Sequence, residues 1–194
     1  MKRILAVMTI AMFFSTAYVA HADDTFNPSV VKLFINGGIK LNDDVGLSAI
    51  FAPSSDLVNG FNPSLYLGPT WHATKWLDTT VYAGWIFNTE DPLVSLALSP
   101  YIGQFWAFVM WDSYLRSESG YLFIQAEYKL TDWLHIGAEG DGWGDYKSGA
   151  AWAYGGGPNL LLRFGKIGFD LALYSRRLEG DAALEFQMRA QLFL

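Results

Sequence analysis

The chain has 194 residues, 52% apolar, 16% aromatic and only 16% charged, with a formal charge of −6, 19 glycines and no cysteine. A charged fraction well below the roughly 25% usual in soluble domains, beside 8 Trp, 10 Tyr and 14 Phe, argues against disorder, a coiled coil or an acidic soluble binding module. The acidic balance disfavours nucleic acid as a partner, because phosphate binding needs a basic face, and the lack of cysteine removes disulfides, thiolate zinc sites and a cysteine nucleophile.

Residues 1–22 read as an export signal. Lys2 and Arg3 form a basic start, Ile4 to Phe14 is almost unbroken apolar sequence, and Ala20-His21-Ala22 offers the small-x-small pattern of a signal-peptidase site before Asp23. The apolar run is shorter than the roughly 20 residues a membrane-spanning helix needs. Cleavage there removes two cations and leaves an acidic chain at 23–194, expected to form one domain.

Beyond the signal, Gly, Pro, Asn and charged residues interrupt the sequence too often for any membrane-spanning helix. What recurs is alternation with period two, the pattern of a strand with one wet and one apolar face. Candidate strands fall at 30–41, 45–53, 62–73, 78–87, 93–103, 105–115, 120–130, 133–143, 150–163, 167–175 and 182–193. The alternation is clearest late in the chain. Leu122, Ile124, Ala126, Tyr128 and Leu130 oppose Gln125, Glu127 and Lys129; Leu134, Ile136 and Ala138 oppose His135, Glu139 and Asp141. Leu184, Phe186, Met188, Ala190 and Leu192 oppose Glu185, Gln187, Arg189 and Gln191, until Phe193 breaks the series. The pattern is poorest near 93–115, where Phe105 to Trp111 are all apolar.

Short connections centred near residues 42, 75, 104, 132 and 165 mark a hairpin that returns about every thirty residues. Two of them share an order: Thr74-Lys75-Trp76-Leu77 and Thr131-Asp132-Trp133-Leu134. The intervening connections, at 52–61, 88–92, 116–119, 145–149 and 175–181, carry Pro, Ser, Asn, Gly and charge, and are expected to be longer, solvated loops. A sheet with so many apolar rows and no covering helix needs either lipid or a second sheet against it. In hydrocarbon, strands cross only as a closed barrel that pairs every backbone group.

The export signal, the Trp-bearing hairpins from about Val30 onward and the final alternating strand ending in Phe193-Leu194 together resemble small Gram-negative outer-membrane β-barrels. The resemblance covers nearly all of the chain after the signal. It implies an antiparallel up-and-down transmembrane barrel with short periplasmic turns, surrounded by outer-membrane lipid and delivered to the barrel-assembly machinery through its C-terminal strand. Single-chain bacterial barrels normally have an even number of strands, so eleven candidates imply ten to twelve. Trp76 and Trp133 are then candidates for an interfacial girdle, where an indole meets lipid on one side and water on the other.

Parity assigns the polar rows to the lumen: Gln125, Glu127, Lys129, His135, Glu139, Asp141, Asn159, Arg163, Asp170, Arg176, Glu185, Gln187, Arg189 and Gln191. The function expected first is a narrow channel for ions or small polar solutes, with Lys129, Arg163, Arg176, Arg189, Glu127, Glu139 and Glu185 setting selectivity by fixed charge; the alternative is a non-conducting structural barrel filled by its own ion pairs. A barrel enzyme acting on lipid is a third reading. His135 with Glu139 and Lys129 is the best acid–base grouping for it, while Ser113 and Ser175 have no distinctive spacing to His72 or His135. A soluble exported sandwich is a fourth. Gly155-Gly156-Gly157-Pro158 lacks the Lys-Ser/Thr of a phosphate loop, and Asp141-Gly142-Trp143-Gly144-Asp145 lacks the rest of a calcium loop, so no cofactor or metal is expected.

Overall fold

The computed structural model describes residues 26–56, 60–146, 153–178 and 181–193; the export signal expected at 1–22 lies outside them, as does Leu194. The described residues form eleven strands and no helix. They are β1 (Phe26–Lys40), β2 (Val45–Asp56), β3 (Gly60–Thr74), β4 (Leu77–Ile86), β5 (Asp91–Ile102), β6 (Phe105–Tyr114), β7 (Ser119–Lys129), β8 (Leu134–Asp145), β9 (Ala153–Phe164), β10 (Ile167–Leu178) and β11 (Asp181–Phe193).

Each strand pairs with its neighbours in sequence and β1 meets β11, so the sheet closes without an edge. Consecutive strands are antiparallel, whereas the closing pair β1–β11 is parallel. The antiparallel up-and-down barrel of ten to twelve strands expected from the sequence is borne out at eleven, with one parallel pair at the closure. In an odd set of alternating strands the first and last point the same way, and the segment near 30–41 is a full member of the wall. Its register sets Lys32 beside Arg189 and Phe34 beside Gln191.

The turns at one end are tight for reasons visible in the sequence. Asn42 Oδ1 accepts from the amides of Asp44 and Val45, an Asx turn. The two Thr-x-Trp turns use one device: Thr74 Oγ1 accepts from Trp76 N at 3.2 Å, and Thr131 Oγ1 from Trp133 N at 3.3 Å. Gly103 and Gly165, both at φ 63°, open the two-residue turns of the β5–β6 and β9–β10 hairpins, a conformation that favours glycine.

At the other end the strands run further than their composition suggested. β2 continues through Asp56 and β3 starts at Gly60, and β10 reaches Leu178 with β11 starting at Asp181. The loops expected at 88–92 and 116–119 are short connections between β4 and β5 and between β6 and β7, whereas residues 57–59, 147–152 and 179–180, on which the other expected loops fall, lie outside the described residues. The β2–β3 register continues even where Pro53 and Pro63, which have no N–H to donate, face each other. The Gly155-Gly156-Gly157 stretch is strand too, lying close against its neighbour: a Cβ on Gly157 would sit 1.9 Å from the Leu173 carbonyl oxygen.

The outer face is apolar. Leu65, Leu67, Val81, Val94, Leu96, Ile124, Ile136 and Leu173 are all exposed on it. Aromatic rings border this band. Trp71, Trp76, Phe105, Tyr128, Trp133 and Phe164 lie toward the tight-turn end, and Trp85, Trp111 and Tyr154 toward the other. Trp76 immediately precedes the 10 residues of β4 and Trp85 is the last but one of them. At roughly 3.4 Å per residue and a tilt of about 40°, such a strand spans about 25 Å along the barrel axis, the usual height of a lipid-facing band.

Candidate functional site

The inner face divides into two sectors. On β7 to β11 it is mainly polar, because side chains two apart along a strand share a face and the buried polar residues of these strands fall on one such row. Gln125, Glu127, Glu139, Asp141, Asn159, Asp170, Glu185, Gln187, Arg189 and Gln191 are all buried there. On β3 to β6 the inner face mixes small polar residues and two buried aspartates with an apolar cluster, in which Tyr66, Tyr82, Leu93 and Met110 are buried with Ile50 of β2.

Arg189 is the hub of the polar sector. Its Nη2 donates to both Glu139 carboxylate oxygens at 2.9 Å, and its Nη1 donates to Asp170 Oδ2 and Gln125 Oε1 at 3.1 Å. The guanidinium also lies 4.7 Å from the Phe123 ring centre and 5.5 Å from that of Phe34. Gln125 Nε2 in turn donates to Glu127 Oε1 and Asp170 Oδ2, and Asn159 Nδ2 donates to the same two carboxylates at 3.0 Å. The network reaches from β11 across to β7, so it bridges the lumen rather than lining one wall.

A second group lies toward the other end of the same sector. Arg176 donates to Glu185 through Nε and to Asp141 through Nη1, the latter at 2.8 Å, and packs 4.7 Å from the Trp143 ring centre. Lys32 Nζ approaches Asp141 Oδ2 at 3.7 Å from β1. On the apolar side the Tyr66 hydroxyl donates to the buried Asp112 Oδ2 at 3.1 Å. Asp91 accepts from the amides of Arg116 and Ser117, folding the β6–β7 connection onto β5.

Not every residue assigned to the lumen joins these groups. Lys129 turns to Asp132 in the β7–β8 turn at 2.7 Å, and this ammonium holds the Asp132 carboxyl below the usual carboxylate range. Arg163 is exposed near the rim, donating to the Gly165 carbonyl oxygen at 3.4 Å and covering the Phe193 ring at 4.8 Å. His135 does sit opposite Lys129 in register, yet its Nδ1 faces Glu127 Oε2 at 3.4 Å while Glu139 is held by Arg189. The hydroxyl of Ser113 meets Trp111 Nε1 and the Tyr146 hydroxyl, and Ser175 is exposed; the structure brings neither to a histidine. Asp141 is engaged by Arg176 and Lys32 within β8, not in a cation loop. Trp76 and Trp133 are each 50% exposed at the tight turns.

Between the two sectors lies a chamber of about 340 Å³. Lys32, Arg189 and Gln125 form its inner end, Phe34, Ile50, Phe108 and Met110 its sides, and Gly38, Ser48, Ser99 and Phe193 its rim near the tight turns. Sequence parity missed it because it treated apolar rows as outward. β6 is apolar on both faces: Trp106, Phe108 and Met110 share the inward row with Asp112, while Val109 and Trp111 point out. Phe193 gave the one visible signal, since its break in the β11 alternation is an inward aromatic at the chamber rim. No family model matches this chain, and no curated protein matches it.

Proposed function

We propose that the protein is an outer-membrane barrel of a Gram-negative bacterium, exported by residues 1–22, and that its lumen is closed by the Arg189 layer in the arrangement described. The observation that carries this reading is the distribution of polarity over a closed wall. Aliphatic side chains bounded by aromatic rings cover the outside, and paired charges fill much of the inside, the reverse of a protein solvated by water. Outer-membrane lipid is then the solvent of the outer face, and β11 is the strand offered to the assembly machinery. The Arg189 side chain and its partners on β7, β8 and β10 occupy the passage that a pore would need.

A second reading is a narrow channel for ions or small polar solutes. It is favoured by the chamber, which enters from the tight-turn end and stops at Arg189 and Lys32, so that rearrangement of a few charged side chains would lengthen it. Planar-bilayer recording separates the two, with heat-modifiable gel mobility as the proof of folding. The closed reading predicts no conductance steps from the folded wild type. Steady steps would overturn it and establish the channel; a shift of reversal potential by Glu127→Gln or Glu139→Gln would then place those charges along the path.

A further inference from the structure

The chamber has a chemical polarity of its own. Its sides are aromatic and aliphatic, and among its lining residues the charged ones are both cations, Lys32 and Arg189, at the inner end. The carboxylates that balance them lie behind: Glu139 and Asp170 hold the guanidinium, and Asp141 lies 3.7 Å from the ammonium. The two cations differ in what they have left to give. Arg189 already donates to Glu139, Asp170 and Gln125, whereas Lys32 carries three donor protons and, among the described residues, has that one long ion pair. Its side chain is 16% exposed and lines the chamber.

The rim is open by composition. Gly38, Ser48 and Ser99 present little bulk, and the hydroxyl of Ser48 is turned to Thr70, whose hydroxyl meets that of Thr80. The volume lies near the lower end of the roughly 300–1,000 Å³ typical of small-molecule sites, which suits one short chain rather than a phospholipid.

We propose that this chamber binds a single short-chain amphipathic carboxylate, head inward on Lys32 and tail along Phe34, Ile50, Phe108 and Met110. A charge-assisted contact with the ammonium fixes the head, and removal of the tail from water supplies the rest. A cationic head would meet two like charges at the same place. The inference concerns the interior alone and stands whether or not the lumen conducts.

The test uses the barrel folded in a neutral maltoside micelle and isothermal titration with octanoate, octanol and octyltrimethylammonium, with empty micelles as the blank. Octanoate is expected to bind at one site per barrel, octanol more weakly, and the ammonium compound no better than to empty micelles. Lys32→Met should weaken octanoate about tenfold or more, as loss of a charged hydrogen bond does, and leave octanol unchanged. Lys32→Gln is the second variant should Lys32→Met not fold, with the same expectation. Met110→Trp, which fills the chamber, should abolish binding of both. Equal binding of all three probes, octanoate affinity indifferent to Lys32, or no binding by the folded wild type would each overturn the proposal.

Discussion

Arg189 on β11 and Glu139 on β8 meet through two hydrogen bonds of 2.9 Å from one guanidinium nitrogen, although two strands stand between them in the wall. Both side chains are almost wholly buried, at 5% and 1% exposure, so neither charge is rescued by water if the other is removed. Arg189→Met strands Glu139 and Asp170 and should destabilise the barrel by about 3–5 kcal/mol, whereas the joint replacement of Arg189 by Met and Glu139 by Gln should recover part of that loss. Equilibrium unfolding in denaturant with the barrel in micelles measures both. A single variant as stable as wild type would show that the layer does not hold the fold.

The parallel closure fixes where β1 begins. β1 runs in the same direction as β11, so Asn27 lies beside Glu185, at the end opposite the tight turns. In an outer membrane with the tight turns in the periplasm, that end faces the medium. The chain has no cysteine, which gives a clean background for labelling. Asn27→Cys and Ser117→Cys should react with a membrane-impermeant maleimide on intact cells, and Asp132→Cys only after permeabilisation. Protection of Asn27→Cys alongside exposure of Ser117→Cys would mean that β1 leaves the closure in the membrane.

Glycine matters for two separate reasons in this wall. Gly157 needs the space, since a Cβ there would overlap the Leu173 carbonyl oxygen at 1.9 Å and one strand would have to move. Gly165 needs only the backbone conformation, at φ 63° with nothing within 4 Å of a Cβ. Gly165→Ala should therefore cost about 1 kcal/mol, the strain of a left-handed residue, and Gly157→Ala distinctly more. Denaturation midpoints of the two variants compare them directly, and the reverse order would contradict the close approach of β9 and β10.

The outer face carries its own prediction. Leu96 is 46% exposed on β5, within the aliphatic band. An arginine there costs about 2–4 kcal/mol when it faces the middle of a bilayer and almost nothing on a surface facing water. Leu96→Arg should lower stability in lipid vesicles by that amount, while Lys75→Arg at a tight turn should leave it unchanged. Equal effects of the two substitutions would mean that Leu96 does not face hydrocarbon.

Much of the wall could be read before any coordinates, and what could not has a physical cause. Period two survives wherever the two faces meet different surroundings, so β7, β8 and β11 were legible and their polar rows converge inside. On β6 both faces are apolar, one outside and one toward the chamber, and the alternation that reports facing disappears. The Thr-x-Trp repeat was legible because a local side-chain hydrogen bond, two residues apart, accompanies the turn. The extent of β2 and β3 was not, because Pro, Ser and Asn mark turns in an isolated chain, yet cross-strand pairing carries them through Ser54↔Asn62. The partner of His135 escaped for another reason: spacing along β8 gives a row, but only the register with β7 brings Glu127 to it.

The account rests on acyl chains, not water, meeting the outer face. Fractionation of cells expressing the chain, followed by gel mobility with and without heating, tests this most directly. The account predicts a heat-modifiable band in the outer-membrane fraction that stays there through high-salt washes and leaves only with detergent; release into the periplasmic extract without detergent would contradict it.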